Sequence, residues 1–185
     1  MDLSELFDMQ RTLDERIVKE KGLEGVDLVP EKILALQVEL GECANEWRGF
    51  KFWSNDQLPR DMEITIGNVC GDEKVRYPVL EEYVDCLHFV LSLGNDLVHR
   101  KDVKTIDREN IGYVVYNRFE ITSQFNQLFS ILGELWDHGE IDLPYHDFIA
   151  VFINLGESLG FTWDEVVMAY KAKNAINHQR QEEGY

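Results

Sequence analysis

Two pairs of acidic residues, Glu39/Glu42 and Glu82/Asp85, share an i,i+3 spacing, and each pair interrupts an apolar stretch with helical periodicity. Residues three apart project from one helix face, with Cβ atoms about 5–6 Å apart. Two such helices packed together gather four carboxylates around one point in a core. Desolvation and mutual repulsion forbid four bare anions there. Hard divalent cations supply the missing charge, and Mg²⁺ is the natural choice for an all-oxygen ligand set. The chemistry predicted by these residues is metal-assisted reaction at phosphate.

Spacing alone carries little weight. With 35 acidic residues in 185, chance yields roughly six to seven i,i+3 acidic pairs. Asp2/Glu5 and Glu5/Asp8 are such pairs, and they read as a solvated face. The two central pairs differ in their neighbours. Glu39 lies between Val38 and Leu40, while Glu82 and Asp85 are flanked by Tyr83, Val84 and Leu87. Ordinary solvated acids on a polar helix face are the competing explanation. Glu46, one turn beyond Glu42, is a candidate to join the cluster, and Glu81 rivals Glu82 for register.

A second group would suit phosphate. Residues 171–180 contain Lys171, Lys173 and Arg180 and no acid, in a chain of net charge −17. Lys173, Asn177 and Arg180 are spaced four and three apart and share a face, where two cations and an amide can hold phosphate oxygens. The alternative is a set of C-terminal helix charges favourable to the macrodipole. The aromatic run Trp47, Phe50, Phe52 and Trp53, with Arg48 and Lys51 interleaved, suits stacking on a base. It also suits a core cluster at a helix end.

The elements that must position these residues are mostly helical. Segment 2–20 carries Leu3, Leu6, Phe7, Gln10, Leu13 and Ile17 at spacings of three and four, an amphipathic helix. Residues 22–30 form a loop, and Pro30 suits the first turn of a helix over 31–48. Residues 54–79 break the pattern, with MEITIG and KVRY flanking a turn-like NVCGDE, the signature of a small hairpin. A third helix spans 80–98 and a polar connector 100–112. A fourth helix covers about 115–137, and Pro144 opens a fifth that ends near Gly160. Thr162 and Glu165 form a capping box that starts the last helix. The fold class predicted is an all-α helical bundle, one domain over 1–185 with an irregular or hairpin insertion at 56–78. Inward carboxylates from facing helices are a known way to build a metal site in such a bundle.

Composition narrows the function. The length fits a single core, and a surface with pI near 4.6 argues against a direct nucleic-acid binder, which needs Lys and Arg. No apolar run reaches the roughly 18 residues of a membrane span. The acidic start MDLSELFDMQ lacks a signal-peptide pattern. The odd cysteine count, Cys43, Cys70 and Cys86, reads as reduced core thiols in a cytoplasmic protein.

ELGECANEW, EEYVDCLHF and YKAKNAINHQRQEEGY resemble the dimeric, all-α deoxyuridine triphosphatases, particularly the bacteriophage-type members. That family lies within the all-α nucleoside triphosphate pyrophosphohydrolases, which include the MazG-type and dCTP-cleaving enzymes. The resemblance covers nearly the whole chain except 54–79 and 100–112. ExxE followed by ExxD marks the superfamily, and KxxxNxxRQxxGY points to the deoxyuridine enzymes.

The resemblance implies Glu39, Glu42, Glu82 and Asp85 as ligands for two or more Mg²⁺ ions. It implies Lys173 and Arg180 on phosphates and Asn177 on the nucleotide. Gln10 stands where the family's first helix supplies a base-recognising amide. Asp14 stands where the family often has Asn, a departure that bears on uracil readout. His88 and Phe89 match an HF dipeptide lining the sugar pocket, where a ring under C2′ rejects a ribose hydroxyl. Trp53 is the aromatic candidate for the base.

The activity expected is hydrolysis of dUTP to dUMP and pyrophosphate, with dUDP also accepted, by a homodimer in the cytoplasm (that of a bacterial host, if phage-encoded). Mg²⁺ would bridge the phosphates and acidify a water, with Glu39 orienting or deprotonating that water. Such an enzyme keeps uracil out of DNA. One alternative is a sister enzyme acting on dCTP or several nucleotides. Another is a regulatory binding protein whose docking surfaces are 54–79 and 100–112. A ferritin-like redox site is disfavoured, since none of the five histidines gives the required Glu-x-x-His spacing from the second or third helix.

Overall fold

In the computed structural model, residues 2–66, 73–97, 118–138 and 142–184 are described. They form six helices and one small hairpin: α1 Ser4–Lys21, α2 Val29–Trp47, β1 Glu63–Ile66, β2 Glu73–Arg76, α3 Pro78–Leu97, α4 Arg118–His138, α5 Asp142–Ser158 and α6 Trp163–Glu182. The all-α class and the helix order agree with the sequence reading. The hairpin strands pair antiparallel with Ile64 opposite Val75. The predicted connector 100–112 and the turn tip with Cys70 lie outside the described residues.

Local signals account for most boundaries. Gly22 ends α1 in the left-handed conformation at φ 66°, where glycine carries no Cβ penalty. Pro30 sits in the first turn of α2. Pro144 falls two residues inside α5 rather than at its start. Thr162 accepts from the Glu165 N–H while the Glu165 carboxylate accepts from the Thr162 N–H, closing the capping box. Arg48 ends α2 at φ 64°, an unfavourable region for a side chain, and its guanidinium donates to the Asp56 carbonyl at 2.9 Å.

Helix α3 is apolar on most of its circumference, and that dictates its central place. Val79, Tyr83, Val84, Leu87, Val90 and Leu91 are all at most 1% exposed. α3 packs most extensively on α2, and also touches α1, α5 and α6. Where α2 meets α3, the free thiols Cys43 and Cys86 are fully buried. Burial, then Cys43, pushes the Cys86 thiol well up, so it stays protonated. Tyr83 stacks on Phe152 with centroids 4.5 Å apart, and the Tyr145 hydroxyl donates to the Val90 carbonyl at 2.8 Å. That approach requires Gly94, because a Cβ there would lie 2.2 Å from the Tyr145 oxygen.

Candidate active site

Helices α2 and α3 turn one acidic edge each toward the same point. Glu39, Glu42 and Glu82 each offer an oxygen, and these lie within 4.8 Å of one another. Asp85 stands beside them and accepts from Lys173 Nζ at 2.5 Å. Burial, then Asp85 and Glu42, raises the Glu39 carboxyl to about 7. Burial, then Asp85, Glu42 and Glu39, raises Glu82 to about 7 as well. Asp85 also titrates higher than a free aspartate, because burial outweighs the help of Lys173. The cluster is thus an under-neutralised set of hard oxygen donors, with Lys173 and Arg180 of α6 set against four carboxylates. That donor chemistry fits Mg²⁺.

The two rivals for the cluster are engaged elsewhere. Glu46 binds Arg60 at 3.2 Å. Glu81 is held by Arg76 of β2, and although burial raises it, that guanidinium brings its carboxyl below the usual value. Of the two α3 rivals, Glu82 is the one that lies beside Glu39 and Glu42, while Glu81 is paired with the hairpin.

A cavity of about 320 Å³ opens beside the cluster. Glu39, Asp85, Lys173, Asn177 and Arg180 line it, so the three tail residues do share a face, together with the aliphatic side chains Leu13, Ile17, Val18 and Leu28, the polar groups Gln10, Asp14, Ser92 and Lys32, and His88 and Phe89. Trp53 does not line the cavity. It is 66% exposed and packs edge-on against Phe50 and Phe52. The loop after Arg48 is tied by local Ser54, Asp56 and Gln57 contacts.

Gln10, Asp14 and Ser92 form a connected network. Gln10 Nε2 donates to Asp14 Oδ1 at 2.8 Å, and Ser92 Oγ donates to Asp14 Oδ2 at 2.7 Å. Burial raises the Asp14 carboxyl, against Lys32 and these two donors. Gln10 Oε1 lies 2.7 Å from His88 Nδ1 and accepts from the Tyr170 hydroxyl at 2.8 Å. His88 stacks on Tyr170, and burial lowers its pKa to about 3, so it is neutral.

Ser92, Lys32 and Tyr170 were not singled out from the sequence. Ser92 lies one turn after His88 on α3, and Lys32 lies two turns before Glu39 on α2, so helical phase carried a signal for both. Tyr170 was indistinguishable from core.

A cavity of this volume, lined by carboxylates, cations, amides and aliphatic side chains beside an acidic cluster, suits a nucleotide. The family model described as dUTPase matches residues 2–185. The chain belongs to the dUTPase family. It is accordingly a nucleoside triphosphate pyrophosphohydrolase acting on dUTP. A comparison with curated proteins finds no match. No helix among the described residues is long and apolar enough to cross a membrane.

Proposed function

We propose that this dUTPase cleaves dUTP to dUMP and pyrophosphate in a Mg²⁺-dependent reaction, accepts dUDP, and works as a single-domain homodimer in the cytoplasm of its cell or, as a phage-type member, of a bacterial host. The observation that carries the reading is the meeting of Glu39, Glu42 and Glu82 within 4.8 Å, beside a cavity that Glu39, Lys173 and Arg180 line. Bound Mg²⁺ would neutralise phosphate charge and acidify a water. Glu42, Glu82 and Asp85 would hold the metal, and Glu39 would orient or deprotonate the attacking water. A carboxylate beside a metal-bound water needs no unusual pKa to accept that proton.

Lys173 and Arg180 would stabilise charge developing on the phosphates, and Asn177 would fix the nucleotide beside them. Phe89 and His88 would border the sugar, with Gln10 and Asp14 at the base. Trp53 has no part in this assignment. For a regulatory protein partner, the apolar hairpin face of Ile64, Ile66 and Val75, 46–74% exposed, is the candidate surface.

The test is pyrophosphate release from dUTP, dCTP, dTTP and UTP, with Mg²⁺ and with EDTA. Mg²⁺-dependent cleavage confined to dUTP is expected, and Glu42→Gln should fold but not turn over. Undiminished activity in EDTA or in that variant would end the metal-site assignment. Cleavage of several nucleotides would end the specificity assignment alone.

A further inference from the structure

The polar network around Gln10 has a direction, and Asp14 sets it. Its two oxygens accept from Gln10 and Ser92 with Lys32 nearby, the setting of a carboxylate, which can only accept. The Gln10 atom 2.8 Å from Asp14 Oδ1 is therefore the amide nitrogen, and the opposite Gln10 atom is the oxygen. That oxygen can only accept, so His88 Nδ1, 2.7 Å away, carries a proton and the Tyr170 hydroxyl donates. The Leu6 carbonyl, a second acceptor for that hydroxyl, is farther at 3.5 Å. Every assignment in the chain follows from the first one. An asparagine at position 14 would not impose it, because its amide can present either end.

We propose that Asp14 and Tyr170 are specificity-positioning residues, which lock the Gln10 amide from its two ends so that its N–H side, never its carbonyl, is offered to a pyrimidine in the cavity. This rests on the reading of Gln10 as the base-facing residue. One Gln10 amide proton goes to Asp14, and the other remains for the ring. A donor matches the O4 carbonyl of uracil and meets the N4 amine of cytosine donor to donor. A buried donor left unpaired is what makes such a site discriminate. The lock thus selects a ring carbonyl over an exocyclic amine through residues that need not touch the base.

Both locks act on the same amide and each can partly replace the other, so the two should be coupled. The ratio of kcat/KM for dUTP over dCTP is measured in wild type, Asp14→Asn, Tyr170→Phe and the double variant. Each single change should lower the ratio by severalfold. The double should lower it by more than their product, in total about a hundredfold. A double variant within twofold of wild type overturns the lock. Gln10→Met separates the layers. If it leaves the ratio unchanged, Gln10 does not read the base and both assignments fall. If it collapses the ratio while the double does not, only the lock falls.

Should the double variant not fold, ¹⁵N NMR of wild-type His88 decides. Protonated Nδ1 with unprotonated Nε2 is expected. The opposite tautomer would mean that the Gln10 amide is reversed, and would overturn the proposal.

Discussion

Glu82→Gln separates what the acidic cluster does for function from what it does to the fold. Without metal, burial and then Asp85, Glu42 and Glu39 move the Glu82 carboxyl from 4.5 to about 7. One unit corresponds to about 1.4 kcal/mol, so full weight would be roughly 3 kcal/mol of destabilisation above pH 7. Glu82 is only half-buried, and solvent screening reduces this to about 1 kcal/mol. The sign follows from linkage. A raised folded-state value means that the folded protein binds more protons than the unfolded chain between 4.5 and about 7, so stability falls as pH rises through that window.

Glutamine keeps the shape and removes the charge. In EDTA at about pH 8, Glu82→Gln should be more stable than wild type by about 1 kcal/mol, or a Tm about 2–4 °C higher. Near pH 4.5 the two should coincide. Saturating Mg²⁺ should reverse the order, because wild type gains the binding free energy, and the variant should lose turnover. Urea or thermal unfolding at the two pH values, with and without Mg²⁺, reads all of this. A variant less stable than wild type in EDTA at about pH 8 would refute the reasoning, since it would mean that the carboxylate is already satisfied by the protein.

Other outcomes follow from single contacts. Lys173→Met removes the cation on Asp85 and should lower kcat/KM for dUTP about a hundredfold, read by steady-state kinetics. An effect below threefold would remove Lys173 from the machinery. Gly94→Ala places a methyl 2.2 Å from the Tyr145 oxygen and should cost about 1–3 kcal/mol in urea unfolding. An unchanged midpoint would show that α3 and α5 have room to part. Thr162→Ala breaks the capping box of α6 and should cost about 1 kcal/mol, visible as a lower Tm with little change in kcat.

Much of this was legible because helical phase is local. The i,i+3 carboxylates, the i,i+4 pair Gln10 and Asp14, and the Lys173/Asn177/Arg180 face depend only on the pitch of the helix that carries them. What escaped depends on contacts between distant segments. Glu81 is removed from the cluster by Arg76 on the hairpin, and Glu46 by Arg60, and neither pairing has a periodic signal. Trp53 reads as a base-stacking residue because aromatics and cations alternate around it, yet it stands exposed against Phe50 and Phe52, outside the cavity lining, a placement with no periodic signal. Tyr170 is a core residue by pattern and by burial. Its hydroxyl acquires a role only because α6 lies against α1, 160 residues away.

The thiols under the site have a use that their inertness conceals. Cys43 follows Glu42 and Cys86 follows Asp85, and both sit fully buried in the α2–α3 seam. They are small and neighbour each other, so the two helix axes can approach closely there. A larger residue at either position would act as a wedge. Widening the gap between the carboxylates of the two helices would disfavour a small ion that demands tight octahedral geometry and favour a larger, more tolerant one. Metal choice would then be tuned from the core without altering any ligand, and comparing Mg²⁺ with Ca²⁺ affinity in Cys43→Leu would measure the setting.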